Sequence, residues 1–245
     1  MVTLRHLLLS APVVLAGAGL LAIAAGGGQA RGPGAQTVPA ATPGRGPAPT
    51  LTAPTGPSKA PAADGFIQRW LLLEPIPANG LTDSIVQAAV KKEYFPNQFT
   101  VIPKDGDKVT VDGKELTWHA VDTKLYNVNL YHFAYALNKP TSDVLFWAVT
   151  IVNCPREMPN VRLAIGSNAA SVWWVNGQEV TAIYGDRQTV IDDGVSKRLT
   201  LKRGANIVRA AIVNGGGATD FCARFLDADD KPVTGITASL AEPTK

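Results

Sequence analysis

Val161-Arg162-Leu163-Ala164-Ile165 and, further on, Ile207-Val208-Arg209-Ala210-Ala211-Ile212-Val213 are the stretches on which the fold turns. In the first, Val161, Leu163 and Ile165 recur at every second position, so a strand presents them on one face. The second is almost continuously apolar, which suits a central strand covered on both sides. Around them lie short segments rich in β-branched and aromatic residues, at 99–102, 109–111, 133–137, 144–152, 172–175, 198–201 and 221–226. Strands at this spacing predict an all-β sandwich or barrel. Asn176-Gly177 and Asp112-Gly113 read as hairpin turns, because both residues of each pair tolerate the positive φ of a type I′ turn. A single stretch, 82–92, is predicted as a short helix against one end of the sandwich: Ile85, Val86, Ala89 and Val90 follow helical spacing, and Asp83 is the expected N-cap.

Residues 1–30 carry a basic start with Arg5, a charge-free apolar run over 7–25 and the small-x-small site Gly28-Gln29-Ala30. This is the pattern of a cleaved signal peptide. A retained anchor is the alternative, since about 19 apolar residues also span a bilayer. Residues 31–63 are dominated by Pro, Gly, Ala and Thr and read as an extended linker, either a tether or a tail. The remainder, 64–245, is about 180 residues, enough for one sizeable core. The expected location is therefore secreted, periplasmic or cell-surface, with no membrane contact after cleavage. A net charge of +3, from 23 Lys and Arg against 20 Asp and Glu, argues against nucleic acid or an anionic membrane as partner. The two cysteines, Cys154 and Cys222, fit one disulfide in an exported protein better than a zinc site, which wants four ligands.

The run Ile67-Gln68-Arg69-Trp70-Leu71-Leu72-Leu73-Glu74-Pro75-Ile76-Pro77 resembles the opening strand of a galactose-binding-like jelly-roll domain that accompanies bacterial glycoside hydrolases and carbohydrate esterases. Val161 to Gly177 is similar to its central hairpin, Gly204-Ala205-Asn206 and Val213 to Gly217 to a following strand and loop, and Phe221 to Asp227 to the closing strand. The resemblance spans about residues 65–235 and implies a jelly-roll sandwich in a glycan-associated, extracellular setting. It also places Cys154 and Cys222 in the same sandwich. Two departures matter. The Asp-Asp-Gly of the family, shared with the related PA14-type sandwich and able there to hold calcium and sugar, is here Asn168-Ala169-Ala170. Glu74 stands where the family has glycine before proline.

No Gly-x-Ser-x-Gly elbow occurs. His119 and His132 lie near no local triad pattern with Ser167 or Ser171, and each reads as a packing or surface histidine. Asp105-Gly106-Asp107, Asp192-Asp193-Gly194 and Asp227-Ala228-Asp229-Asp230 read as turns, with a structural calcium as the alternative. No other cofactor and no catalytic metal is expected. Gly215-Gly216-Gly217 reads as a loop that needs positive φ or close backbone approach.

Aromatic side chains are the remaining candidates, because sugar rings present apolar C–H faces. Trp173, Trp174, Tyr184, Tyr126 and Tyr131 qualify. The expected ligand-binding set is Trp174 or Trp173 with Tyr184, Arg187 and Asn168. Adjacent strand residues point to opposite faces, so Trp173 is expected inside and Trp174 outside. The leading expectation is a non-catalytic module that binds a polysaccharide or oligosaccharide, in a setting of polysaccharide degradation. An envelope structural or protein-interaction module is the second reading, and a divergent esterase or glycosidase accessory protein the third.

Overall fold

A computed structural model describes residues 50–241, and both decisive stretches are strands in it. The fold is an all-β sandwich of two antiparallel sheets with two short helices. The larger sheet runs β1 (Leu51–Thr52), β6 (Lys114–Thr123), β3 (Arg69–Leu73), β8 (Val144–Cys154), β14 (Gly204–Asn214), β10 (Ala170–Val175) and β11 (Gln178–Ile183). Short strands extend it: β4 (Ile76–Pro77) and β16 (Thr237–Ser239) pair with β8, β2 (Ser58–Lys59) with β16, and β5 (Lys108–Val111) with β6. The smaller sheet runs β12 (Gly194–Val195), β9 (Met158–Ser167), β15 (Asp220–Leu226) and β7 (Val128–Asn129), with β13 (Leu199–Leu201) beside β9.

The central ladder is β8 against β14, in register from Gly204↔Cys154 to Asn214↔Val144. Both strands are buried along nearly their whole length because the large sheet is covered on both faces. On its inner face Trp70, Phe146, Trp173, Val208, Ala210 and Ile212 meet Val161, Leu163, Ile165, Phe221 and Phe225 of the smaller sheet. On its outer face Leu71, Trp118, Trp147, Val149, Ala211 and Val213 are roofed by Phe95 and the helix α1 (Asp83–Lys91), which buries Val86 and Val90. Helix α1 thus covers a sheet face, where an end of the sandwich was expected. Its N-cap is Thr82, not Asp83, and no side chain caps it.

The segment 133–137, expected as a strand, belongs to a second helix, α2 (Leu130–Ala136). Asn129 Oδ1 accepts the His132 N–H at 2.7 Å, satisfying a free donor of the first turn. Leu130, Phe133 and Ala134 turn one face into the core, at the i, i+3, i+4 spacing of a helix. The segment 99–102 forms turn and irregular backbone, and its apolar residues Phe99 and Val101 serve as part of the outer roof. Asn176 and Gly177 have φ of 52° and 81°, and Asp112 and Gly113 of 48° and 77°, so both hairpin turns form as expected. In the triple-glycine loop Gly217 has φ 79°, and a Cβ on Gly215 would stand 3.0 Å from Leu81.

The predicted linker ends earlier than 63. Within it, β1 pairs with β6 and β2 with β16. The buried guanidinium of Arg69 holds this segment, donating to the carbonyls of Gly56 and Thr55 as well as to both oxygens of Asp122. The predicted signal peptide and residues 31–49 of the linker lie outside the described residues. No helix among the described residues is long and apolar enough to cross a membrane.

The Cys154–Cys222 disulfide does not form: both are free, buried thiols. Cys154 faces the inter-sheet core. Cys222 alternates with the core-facing Phe221 and Ala223, so it points out of the other side of the smaller sheet, toward Gly166. Two thiols on different sheets, one turned inward and one outward, have no geometry for a bond.

Candidate functional site

The expected ligand-binding residues fall into three environments. Trp173 is fully buried between the sheets, its ring edge-on to Trp70 and Phe221 at 6.1 and 5.4 Å, and its Nε1 donates to Ser171 Oγ. Trp174 points to the outer face, as alternation requires, but that face is roofed. Its ring stacks on Trp147 at 5.6 Å and meets Phe99 at 6.0 Å, leaving it half-buried. Tyr184 is half-buried against the same outer cluster.

Asn168 and Arg187 come together just beyond the start of β10, which lies about 13 Å from Trp174 at 3.3 Å per residue. There the Asn168 amide donates to the carbonyls of Ala218 and Arg187, at 2.8 and 3.1 Å. Arg187 pairs with Asp193, Arg224 with Asp192, and Asp220 accepts from Asn127 and Thr189. These side chains are occupied in tying loops to one another. Ala169, in the position of the missing carboxylates, has φ 100°, a strained value for a residue with a Cβ.

The remaining acidic clusters act within turns. Asp105 accepts from Ala120 N–H, Asp107 from Lys104 N–H, and Asp227 from the N–H groups of Asp229 and Lys231. Among the described residues no three His, Cys, Asp or Glu side chains are grouped to hold a metal.

A cavity of about 470 Å³ opens between β1, β6 and α2. Its floor is apolar, from Leu51, Val121, Phe133 and Leu137, and its polar groups are His119, His132 and the hydroxyls of Thr50 and Thr52. Thr50 Oγ1 is buried and makes no hydrogen bond. The His119 ring lies edge-on to Phe133 at 5.6 Å. Elsewhere on helix α2, outside the cavity lining, the Tyr131 ring is 6.1 Å from that of His132, and Tyr135 stacks on Tyr131 at 6.2 Å. Tyr135 is 68 % exposed, the most exposed large apolar side chain among the described residues. Tyr131 was a candidate from sequence; Tyr135 was missed because the segment read as a strand, although Tyr131 and Tyr135 stand at i, i+4 spacing.

Behind the cavity, Glu74 is buried and saturated. It accepts from Lys139 Nζ at 3.0 Å and the Thr117 N–H at 3.3 Å, and His119 Nε2 lies 3.5 Å away. Burial raises its pKa, but the bonds from Lys139, Thr117 and His119, with the charge of Lys139, outweigh it and hold the carboxyl below its ordinary value. A different groove, about 600 Å³, lies between β11 and β13; it is lined by Gln178, Glu179, Lys197 and Lys202 and has no aromatic wall.

No family model and no curated protein matches the chain. Solved structures with partial likeness include the PA14 sugar-binding domain from an RTX adhesin, at 14% identity over 71% of this chain and 98% of that one, TM-score 0.40. The PA14 domain of the MpAFP antifreeze protein matches at 11% identity over 79% of this chain and all 100% of that one, TM-score 0.40. A β-glucosidase from Kluyveromyces marxianus matches at 17% identity over 72% of this chain but only 20% of its own length, TM-score 0.39.

Proposed function

We propose that the chain is a carbohydrate-binding β-sandwich module that works outside the cytoplasm and seats a sugar ring in the cavity between β1, β6 and α2. The observation that carries this reading is the lining of that cavity. A pyranose needs an apolar surface for its C–H face and a few polar groups at the rim for its hydroxyls. Phe133, Val121 and Leu137 supply the first; His119, His132 and the Thr52 hydroxyl supply the second. A volume of about 470 Å³ falls in the range of small-molecule sites, about 300–1,000 Å³. The signal-peptide pattern of residues 1–30 supports export.

The module binds without breaking bonds. A glycosidic general acid needs a carboxyl whose pKa is raised, so that it holds a proton to give. Glu74, the carboxylate nearest His119, is shifted the other way by its own partners. The test is a glycan array followed by titration of the best neutral sugar into wild type and His132→Ala. His132 is exposed, so its loss leaves the fold intact. Saturable binding, weakened about tenfold by the substitution, is the expected result. An absence of saturable sugar binding would favour an envelope structural module instead.

A further inference from the structure

Two arginines are buried in the large sheet, and they are treated differently. Arg69 is 1% exposed and its charge is met by both carboxylate oxygens of Asp122, at 2.9 and 3.0 Å, and by two carbonyls. Arg209 is 3% exposed on the outer face of β14, and no Asp or Glu among the described residues lies within ion-pair distance of it. Its Nη2 donates to the carbonyl of Val101 at 2.6 Å, while Nη1 is buried and makes no bond. Burial lowers its pKa to about 10, so it remains a cation at neutral pH. A buried charge without a counter-ion is costly and is ordinarily paired.

Arg209 lines a cavity of about 280 Å³ with Phe99, Thr100, Asn176, Gly177 and Ile207. That lining holds one cation and no anion. Its other polar side chains are occupied: Asn176 bonds Asn206 and the Ile207 N–H, and Thr100 Oγ1 donates to the carbonyl of Asn97. The unsatisfied group is therefore a guanidinium donor, whose best partner is a carboxylate. Phe99 offers an apolar wall beside it and is packed on Trp174 and Trp147.

We propose that this cavity is a second binding subsite, one that takes a carboxylate, and, resting on the carbohydrate reading above, that the group belongs to an acidic sugar of the uronate class. The β3 and β8 strands lie between it and the β1–β6–α2 cavity in the large sheet. Nη1 is shielded from solvent, so a carboxylate that reaches it must displace part of the cavity lining, and Trp174, packed on Phe99, is placed to report a change there by its fluorescence.

The experiment titrates the full chain with a galacturonate trimer, the same trimer methyl-esterified, and acetate, read by tryptophan fluorescence. The acid is expected to bind at least about tenfold more tightly than the ester, as a charge-assisted contact demands. Arg209→Met should erase that preference without lowering the melting temperature, since it removes an uncompensated buried charge. Arg209→Lys should retain part of the preference. Equal binding of acid and ester, or binding of neither, overturns the subsite. So does an Arg209→Met protein that melts much earlier yet keeps any acid preference, which makes the arginine a strut for residues 97–101. Acetate binding as tightly as the trimer would uphold the carboxylate site and overturn its sugar ligand. Arg209-dependent acid binding in a protein that takes no neutral sugar would sink the β1–β6–α2 reading and leave this one standing.

Discussion

The two faces of the large sheet are both covered, but by different means. The inner face is closed by another sheet, whose strands alternate Val161, Leu163, Ile165 and Phe221, Ala223, Phe225 into the gap. The outer face is closed by α1 and irregular backbone carrying Phe95 and Phe99. Trp173 and Trp174 are neighbours in sequence and lie one on each face. A sheet-on-sheet core is specified by two alternating patterns at once, whereas a roof of short helix and loop leaves half-buried rings and an unpaired arginine. Both proposed sites lie where the covering is irregular: beneath Phe99, and where α2 and β1 close the sandwich edge.

The sharpest way to break this distinction is Trp173→Ala. Removing a fully buried ring that contacts Trp70 and Phe221 should cost about 3–5 kcal/mol, measured by chemical denaturation. A loss below about 1 kcal/mol would mean that the inner face is not the tighter core.

Next is the pH dependence contributed by the cysteines. Burial raises Cys154 from 9.0 to about 11, and raises Cys222 from 9.0 to about 12. The folded state therefore holds these protons when the unfolded chain has lost them. Their stabilisation is full below pH 9 and is lost as pH rises through the folded values, on the order of 3 kcal/mol for Cys154 and 4 kcal/mol for Cys222. Denaturation between pH 8 and 11 should show the decline, and Cys154→Ala with Cys222→Ala should flatten it. The native thiols should also resist a thiol reagent at pH 8 and react on unfolding; a purified protein with no titratable thiol would reinstate a disulfide.

Trp174→Ala should cost less than Trp173→Ala, about 1–2 kcal/mol, for loss of its stacking on Trp147 and Phe99. Equal losses for the two tryptophans would erase the difference between the faces. Smallest of all, His132→Ala should change stability by less than about 0.5 kcal/mol, as an exposed substitution.

The central strands, both hairpin turns and the opposed faces of Trp173 and Trp174 were legible because each depends on local rules, the period of two or the φ of Asn-Gly and Asp-Gly. Segment 133–137 was misread because Phe133, Tyr135 and Leu137 also alternate, and the helical period appears only when Leu130 and the Asn129 cap are included. Residues 50–63 looked like linker because Pro and Ala signal no core of their own; what orders β1 and β2 is pairing with strands far away in sequence. The disulfide failed for the same reason, since which side of a sheet a cysteine faces is a property of tertiary register. The cavity was illegible because Leu51, His119 and Phe133 converge only in three dimensions.

The central claim is that the cavity between β1, β6 and α2 holds a sugar ring. The chain has three histidines, and two of them, His119 and His132, line that cavity. Their imidazole resonances can be followed by NMR while a neutral oligosaccharide is titrated into the protein. Both signals are expected to shift together and saturate at one affinity, with His132→Ala weakening the shift of His119. Saturable binding that leaves both imidazoles unmoved would contradict the account.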